Sequence, residues 1–346
     1  MTSNDNADPR LQSLERWIAG LPGPPVERIA PASADASFRR YFRIHRAGGT
    51  QIAMDAPPAR ESLDAWLRVA RILAATGVQV PPVLAVDAEQ GFVLIGDLGR
   101  QHYLEALAGG ADPEALYADA IDALVRMQSG GAASATELPP YDRELLMREL
   151  ALFPEWFVAR HLGLSPDAAE RRAMAAAFDW LCDQALAQPE VLVHRDYHSR
   201  NLMVRPEGNP GIVDFQDAVR GPVSYDLVSL LKDCYIVWPR KQLLAWLDLY
   251  RTKAADAGLD VGVDRNEFLQ WFDRMGLQRH LKVLGIFARL WHRDGKPGYL
   301  GDLPRVLEYT LEASAAEPAL AEFDAFLRKR IVPAFASAAR RTGIPR

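Results

Sequence analysis

Three oxygen-bearing side chains near the middle of the sequence have the types and spacing needed to hold a divalent cation beside a reactive hydroxyl. Asp196 and Asn201 lie on the segment VLVHRDYHSRNLMV at 191–204, and Asp214 follows the apolar run GIV at 211–213. Phosphoryl transfer requires a carboxylate near the acceptor hydroxyl and hard oxygen ligands that hold Mg²⁺ across the phosphates of ATP. The pattern therefore predicts phosphoryl transfer, with Asp196 as the catalytic carboxylate and Asn201 and Asp214 as Mg²⁺ ligands.

Two motifs in the correct order make this prediction more specific than either motif alone. The interval from Asp196 to Asn201 matches the HRDxxxxN catalytic loop, and 214–216 (DFQ) stands where the second aspartate and its phenylalanine are expected. The structural alternative is that these are loop polar residues at strand ends, where Asp and Asn are common because of their turn chemistry. We interpret His194 as a histidine that orients the loop, and we place His198 beside the substrate.

The same segment also permits a different chemistry. His194 and His198 are four residues apart, which on a helix would place both on one face as zinc ligands. The flanking runs VLV and NLMV are typical of strands instead, Arg195 stands where an HExxH motif has glutamate, and no third ligand is apparent. A zinc hydrolase is therefore the less favoured alternative.

Length and composition indicate a folded enzyme without a nucleic-acid or membrane partner. The chain has 346 residues, of which 49% are apolar and 25% charged, and its formal net charge is −5. This charge gives no basic surface for a phosphate backbone, and no apolar run approaches the roughly 18 residues of a membrane span. Cys182 and Cys234 form no CxxC pair, and the start of the chain lacks the features of a secretory signal. We expect a cytoplasmic protein with reduced cysteines and no evident obligate protein partner.

The predicted elements divide the chain into a small sheet-containing part and a larger helical part, which is an α+β fold class. Alternation and turn signals predict a hairpin at 38–55 and a strand at 91–95, with a helix at 61–76 between them. The other predicted elements are helices at 11–20, 101–130 and 143–187, short strands at 191–194, 202–204 and 211–213, and a helical remainder at 224–346. We place the lobe boundary near residue 98, with a nucleotide lobe at 1–98 and a catalytic and acceptor lobe at 99–346.

With these motifs, the chain resembles the aminoglycoside phosphotransferase and choline kinase superfamily over roughly residues 30–300. The resemblance implies a protein-kinase-like bilobal fold, with a small antiparallel sheet and one helix over a larger, mainly helical lobe. It implies that Asp226, in the motif SYDL, is a buried brace for the catalytic loop. It also implies that the linker after the fifth strand meets adenine, and this linker consists of Ile95, Gly96, Asp97 and Leu98.

The chain departs from the superfamily pattern in its nucleotide lobe. Met54 and then Asp55 stand where the third strand usually carries a lysine for the α- and β-phosphates, and ADASFRRYFR at 34–43 replaces a glycine-rich loop. We predict that an arginine replaces the lysine, Arg43 or Arg40 first. The predicted nucleotide-binding residues of this region are Ser37, Phe38, Arg39, Arg40, Arg43 and Met54. The missing lysine also leaves open a nucleotide-binding module without transfer activity.

The acceptor lobe carries too much positive charge to suit a polycation. Residues 215–346 contain 20 Lys and Arg against 16 Asp and Glu, so an uncharged or anionic acceptor fits better. Arg220, Arg240 and Lys241 are candidates to meet a carboxylate on an anionic acceptor, or are ordinary surface charges. Aromatic rings beside carboxylates and amides suit a sugar, and the predicted substrate-binding residues are His198, Arg200, Gln216, Asp217, Tyr235 and Trp238.

A resemblance to a narrower group of kinases concerns the identity of the acceptor. The segments SFRRYFR, AMDAPP and HRDYHSRNLMV are similar to those of bacterial kinases that phosphorylate amino sugars on the anomeric hydroxyl. This resemblance implies a small-molecule amino-sugar substrate and a sugar 1-phosphate product. A kinase of the same superfamily acting on an antibiotic, a choline-like or a homoserine-like acceptor is the alternative.

Overall fold

A five-stranded antiparallel sheet forms the first part of the molecule in the computed structural model, which describes residues 8–33, 38–60 and 62–342. The strands are β1 Val26–Ser33, β2 Arg40–Arg46, β3 Gly49–Asp55, β4 Val83–Asp87 and β5 Phe92–Gly96. Their order in the sheet is β1-β2-β3-β5-β4, so β1 and β4 are the edges. The hairpin of β2 and β3 pairs Arg40 with Asp55 at one end and Arg46 with Gly49 at the other.

Alternation along the central strands gives this sheet two different faces. One face packs against helix α1, Pro9–Gly20, through a small apolar cluster that includes Leu14, Ile18, Phe42, Ile44, Ala53 and Leu94. The intervening residues, among them Met54, Val93 and Ile95, join the main core with helix α2, Leu63–Ala75. The face on which a side chain of β2 or β3 lies therefore decides whether it meets α1 or the interior of the molecule.

The second part of the molecule is mainly helical. Its helices are α3 Tyr103–Ala108, α4 Pro113–Gly130, α5 Arg143–Leu150, α6 Ala168–Leu186, α7 Tyr225–Leu231, α8 Arg240–Asp256, α9 Arg265–His292, α10 Leu303–Ala315, α11 Ala321–Phe326 and α12 Val332–Thr342. Two π-helical segments lie at Phe153–His161 and Leu327–Ile331, and short 3₁₀ helices lie at Ala135–Glu137, Pro297–Asp302 and Pro318–Leu320. The 28-residue helix α9 is the centre of this part, because it packs against α6, α7 and α10. No helix within the described ranges is long and apolar enough to cross a membrane.

Four short strands carry the segments that contain the predicted catalytic residues. They are β6 Glu190–Val193, β7 Leu202–Met203, β8 Gly211–Ile212 and β9 Val219–Pro222. Strand β6 pairs with β9, and β7 pairs with β8. The loop 194–201 between β6 and β7 and the turn after β8 are therefore anchored on both sides by strand pairing.

The α+β architecture predicted from the sequence is confirmed, and most predicted elements are present. The sequence did not indicate β1 and β4, because both are edge strands with weak buried alternation. Strand β1 contains Pro31, and Val83, Leu84 and Val86 of β4 are exposed. A lobe boundary near residue 98 stays a prediction, and it falls between the end of β5 and the start of α3.

Candidate active site

A buried carboxylate holds the start of the loop 194–201. Asp226, in the first turn of α7, accepts hydrogen bonds from the backbone N–H groups of His194 (2.6 Å) and Arg195 (3.0 Å). Arg195 has a φ of 78°, a left-handed conformation that is uncommon for residues other than glycine. Its carbonyl accepts a hydrogen bond of 2.7 Å from Nη1 of Arg279, so its backbone is held from both sides. Burial raises the pKa of Asp226 to about 7, against the effect of its two N–H donors.

A second buried carboxylate holds the other end of the same loop. Asp233 accepts hydrogen bonds from the backbone N–H of Ser199 (3.0 Å) and from its hydroxyl (2.5 Å). Its other oxygen accepts from the backbone N–H of Tyr235 at 2.9 Å. The sequence-based prediction missed Asp233, and its only local signal is a charged residue within a largely apolar segment. The loop is therefore fixed by one aspartate at each end.

His194 is buried with both ring nitrogens engaged. Its Nδ1 accepts from the backbone N–H of Asp196 at 3.2 Å, and its Nε2 donates to the carbonyl of Val213 at 3.1 Å. Burial lowers the pKa of His194 to about 4, so the ring is neutral at pH 7. These contacts leave neither nitrogen for zinc, and among the described residues no group of three His, Cys, Asp or Glu side chains is placed to hold a metal ion.

The structure brings the three residues singled out by the sequence into one place. The Nδ2 atom of Asn201 donates to the carbonyl of Asp196 at 3.0 Å and lies 3.4 Å from Oδ2 of Asp214. Asp214 has a φ of 63°, and its Oδ1 accepts a hydrogen bond of 3.0 Å from the amide of Gln216. The nitrogen of the Asn201 amide faces Asp196 and Asp214, so the oxygen of the same amide is the atom that could bind a cation. The set of donors is one amide oxygen and one carboxylate, which suits Mg²⁺.

Asp196 is an ionised carboxylate next to buried cations. Nη2 of Arg279 lies 3.6 Å from Oδ1 of Asp196, whose side chain retains 40% exposure. Burial alone would raise the pKa of Asp196, but the charges of Lys282 and Arg279 lower it well below its ordinary value. Lys282 in turn pairs with Glu149 at 2.8 Å, and Arg195 also pairs with Glu149. We call Glu149, Arg195, Arg279 and Lys282 the charge cluster, and sequence analysis gave no indication of it.

A cavity of about 390 Å³ lies between the sheet and this loop, which is within the usual size of small-molecule sites. Asn201 and Asp214 line one end of the cavity, and the linker residues Ile95 to Leu98 line another part of its wall. Phe215, directly after Asp214, packs against Trp66 of α2 with ring centroids 5.2 Å apart. This ring contact joins the segment that contains Asp214 to the helix of the sheet-containing part.

The predicted nucleotide-binding arginines lie on different faces of the sheet. Arg43 lines the cavity, where its Nε donates to Asp97 at 2.6 Å and its Nη2 donates to the carbonyl of Gly99 at 2.8 Å. Arg40 lies on the α1 face and pairs with Asp8 and with the fully buried Asp55. The alternation of β2 thus directs Arg43 towards the cavity and Arg40 away from it.

Three other nucleotide-lobe candidates, Met54, Phe38 and Arg39, are not among the residues that line the cavity. Met54 is fully buried in the main core. Phe38 is 56% exposed and lies beneath the guanidinium of Arg60. Arg39 is half-buried and is not among the residues that line the cavity, and Ser37 lies outside the described residues. Of the nucleotide-binding residues predicted in this lobe, Arg43 and the linker residues line the cavity.

Of the predicted substrate-binding residues, Arg200 lines the cavity and stacks on Tyr235, with its guanidinium carbon 3.6 Å from the ring centroid. His198 packs edge-on against Tyr235, and its Nδ1 has no hydrogen-bond partner among the described residues. Gln216 joins Asp214 to Asp217 through hydrogen bonds of 3.0 and 3.2 Å from its amide.

Three aromatic and basic candidates have structural partners elsewhere. Trp238 donates from Nε1 to the hydroxyl of Tyr117 at 2.8 Å and packs on Trp246, so it belongs to the packing of α4 against α8. Arg220 pairs with Glu190 at 3.0 Å, and Arg240 pairs with Asp273 at 3.1 Å. These pairs occupy two of the three charges that the sequence offered for an anionic acceptor, and the third, Lys241, is in the first turn of α8 and is not among the residues that line the cavity.

A small antiparallel sheet and a larger helical part enclose a cavity that is lined by Asn201 and Asp214. This arrangement is typical of a phosphotransferase of kinase-like architecture. The chain belongs to the phosphotransferase enzyme family, whose family model matches residues 28–262. The family resemblance predicted from the sequence motifs is thereby confirmed.

Several bacterial proteins are similar to this protein along almost the whole chain. A protein of Pseudomonas aeruginosa is 47% identical over 331 residues, covering 92% of this chain and 96% of its own length. Proteins of Pseudomonas putida (49% identical, 91% of this chain and 95% of its own) and Neisseria meningitidis (46% identical, 92% and 95%) are similar to the same extent. Each of the three carries the name N-acetylmuramate/N-acetylglucosamine kinase.

Solved structures of lower identity have the same fold. Choline kinase LicA from Streptococcus pneumoniae has a TM-score of 0.61 at 12% identity, covering 87% of this chain and 99% of its own. Spectinomycin phosphotransferase APH(9)-Ia, solved with ADP and spectinomycin, has a TM-score of 0.57 at 13% identity and covers 91% and 97%. These similarities confirm the kinase-like fold expected from the sequence.

Proposed function

We propose that this protein transfers the γ-phosphoryl group of ATP to the anomeric hydroxyl of an N-acetylated amino sugar, N-acetylmuramate or N-acetylglucosamine. The observation that carries this proposal is the similarity of 46–49% across more than nine-tenths of the chain to three kinases named for those two sugars. The product is a sugar 1-phosphate, the form from which nucleotide sugars are made. We infer a role in the recycling of peptidoglycan sugars.

The cavity has the features that a nucleotide site requires. Its walls combine apolar side chains such as Ile52 and Ile95 with the backbone of the linker, which offers donors and acceptors to an adenine ring. In our proposal the adenine lies at 95–98, and the phosphates extend towards Asn201 and Asp214. Arg43, which is paired with Asp97, supplies positive charge at the side of the cavity between these two ends.

Asn201 and Asp214 are the residues that would hold Mg²⁺. Their side chains lie within 3.4 Å of each other at the end of the cavity, and together they supply hard oxygen donors. When bound there, Mg²⁺ neutralises the charge on the β- and γ-phosphates. Gln216 holds the Asp214 carboxylate in place through its amide, so the carboxylate is oriented before any cation arrives.

Asp196 orients the acceptor hydroxyl and receives its proton during transfer. Because Lys282 and Arg279 keep this carboxylate ionised, it can accept a hydrogen bond from the acceptor hydroxyl at neutral pH. An anomeric hydroxyl is more acidic than other sugar hydroxyls, so it suits a site in which positioning matters more than basicity. The uncharged or anionic acceptor predicted from the charge of residues 215–346 agrees with both amino sugars.

An acceptor panel tests the proposal. The purified protein is incubated with MgATP and N-acetylmuramate, N-acetylglucosamine, kanamycin or choline, and ADP release and the position of the new phosphate are followed by ³¹P NMR. We expect turnover with the two amino sugars and a phosphate on carbon 1. Turnover only with kanamycin or choline, phosphate on another hydroxyl, or nucleotide binding without consumption of ATP for any acceptor would reject the proposal.

A further inference from the structure

Arg200 presents its guanidinium to the cavity, where it has no hydrogen-bonding partner among the described residues. It directly precedes Asn201 and lines the cavity together with Tyr299. Its guanidinium carbon lies 3.6 Å from the ring centroid of Tyr235 and 5.6 Å from that of Tyr299. Within residues 8–33, 38–60 and 62–342, its guanidinium donates no hydrogen bond to an oxygen and forms no ion pair with a carboxylate, although its charge acts on Asp302, where it lowers a pKa that burial raises. Stacking fixes the plane of the guanidinium and leaves its N–H donors, which lie in that plane, available to a ligand.

The other cations at the catalytic end of the cavity already have anionic or carbonyl partners. Arg43 is paired with Asp97. In the charge cluster, Arg195 and Lys282 share Glu149, and Arg279 contacts Asp196. Arg100 also lines the cavity, but it lies two residues after the linker, to which our proposal assigns the adenine, and it is exposed. Arg200 is therefore the cation that the catalytic loop itself offers to a reactant.

We propose that Arg200 binds an oxyanion of a reactant beside Asn201, through two parallel N–H donors. This inference rests on the proposed function, because that function brings two oxyanions to this place. One is the phosphoryl group in transfer, and the other is the lactyl carboxylate that N-acetylmuramate carries and N-acetylglucosamine lacks. Both are planar or tetrahedral oxygen groups that a guanidinium binds in a bidentate manner. No lysine stands on the third strand to supply a positive charge from the sheet side.

The two sugars allow the source of the oxyanion to be determined by experiment. The variants are Arg200→Gln, which removes the charge, and Arg200→Lys, which keeps it without the planar stack on Tyr235. Arg148→Gln is the matched control, because this arginine is 67% exposed on α5 and makes only a loose contact with Glu144 at 3.9 Å. For each protein we would measure kcat and KM with both sugars. Calorimetric Kd values for both sugars with the magnesium complex of a non-hydrolysable ATP analogue, and for the analogue alone, provide a readout independent of turnover.

If the oxyanion is the sugar carboxylate, Arg200→Gln raises the Kd and KM of N-acetylmuramate by roughly 10- to 100-fold, as expected for a lost charge-assisted hydrogen bond, and leaves N-acetylglucosamine unaffected. If it is the phosphoryl group, kcat falls by roughly the same factor with both sugars while the Kd of each sugar is unchanged. In either case we expect the affected constant of Arg200→Lys to lie between the values of the wild type and Arg200→Gln.

Two results would overturn the inference. One is that Arg200→Gln matches Arg148→Gln in every constant for both sugars. The other is an equal rise in the Kd of both sugars with kcat and the Kd of the analogue unchanged, because that result would mean that Arg200 contacts a group common to the sugars instead of an oxyanion. Failure of the proposed function itself is distinguishable, since the wild-type protein would then turn over neither sugar.

Discussion

The guanidinium of Arg279 lies against the loop 194–201. Its Nη2 is 3.6 Å from Oδ1 of Asp196, and its Nη1 is 2.7 Å from the carbonyl oxygen of Arg195. It is 4% exposed and also receives support from Tyr225, whose hydroxyl lies 3.2 Å from Nη1. One side chain from α9 thus holds both the carboxylate and the strained backbone that presents it. The chemistry of the loop depends on a helix that begins far downstream in the sequence.

Replacing this side chain should reduce turnover more than substrate binding. In Arg279→Gln the Arg195 carbonyl loses its donor and Asp196 loses its nearest cation, so we expect kcat to fall by roughly 10- to 100-fold with the Kd of ATP unchanged. Steady-state kinetics and calorimetry check this expectation. Arg279→Lys, which restores a cation without the second donor, should recover part of the loss. Equal kcat values in the wild type and Arg279→Gln would show that the contact does not position Asp196.

Because of Glu149, the free energy of unfolding should depend on pH in the acidic range. Burial alone would raise the pKa of Glu149, but Lys282 and Arg195 lower it to about 2, below the value of about 4.5 in the unfolded chain. A carboxylate with a lowered folded pKa contributes stability above pH 4.5, and this contribution is lost as the pH falls from about 4.5 towards 2.

The isosteric variant Glu149→Gln isolates this contribution. It leaves Arg195 and Lys282 without their shared carboxylate, so we expect a loss of about 3–5 kcal/mol in the free energy of unfolding at pH 7. The difference between wild type and variant should shrink below pH 4.5, as measured by urea unfolding at a series of pH values. A difference that stays constant down to pH 3 would contradict the assignment of the charge to Glu149.

The grouping of three oxygen-bearing side chains was predictable from local spacing, while their catalytic and metal-binding roles stay predictions. Asp196, Asn201 and Asp214 lie within two short motifs, and strand pairing on either side leaves little freedom in how these motifs meet. The charge cluster was not predictable, because Arg279 lies 84 residues after Arg195 and reaches it only through the packing of α9. Nothing in the local sequence of α9 distinguishes a buried cation beside a carboxylate from a surface charge.

The faces of the sheet show a second limit of sequence analysis. Arg40 and Arg43 lie in the same short segment and have the same chemistry, yet strand alternation directs them to opposite sides. Trp238 was expected near the substrate, and only the packing of α4 against α8 reveals its hydrogen bond to Tyr117. Sequence analysis therefore identified candidate side chains, while the direction of each side chain required the register and the tertiary contacts.

The different faces of these two arginines predict different effects of substitution. Arg43→Ala removes a cation from the cavity wall and releases Asp97, so we expect a rise of roughly tenfold or more in the KM for ATP. Arg40→Ala leaves the cavity intact but removes one of the two arginines paired with buried Asp55, so we expect lower stability and normal kinetics. Kinetics and thermal unfolding of both variants test this contrast. A higher KM for ATP in Arg40→Ala than in Arg43→Ala would reverse our assignment.

The direct test of the account is the turnover of Asp196→Asn, compared with Asp179→Asn as a control on the exposed surface of α6. The amide keeps the size of the side chain but cannot accept the proton of the acceptor hydroxyl, and Asn201 and Asp214, the proposed Mg²⁺ ligands, are unchanged. We predict that kcat with N-acetylmuramate falls by roughly 10²- to 10⁴-fold in Asp196→Asn, while the Kd of MgATP stays at its wild-type value. Turnover by Asp196→Asn at the rate of the control protein would contradict the central claim that this carboxylate serves the acceptor hydroxyl.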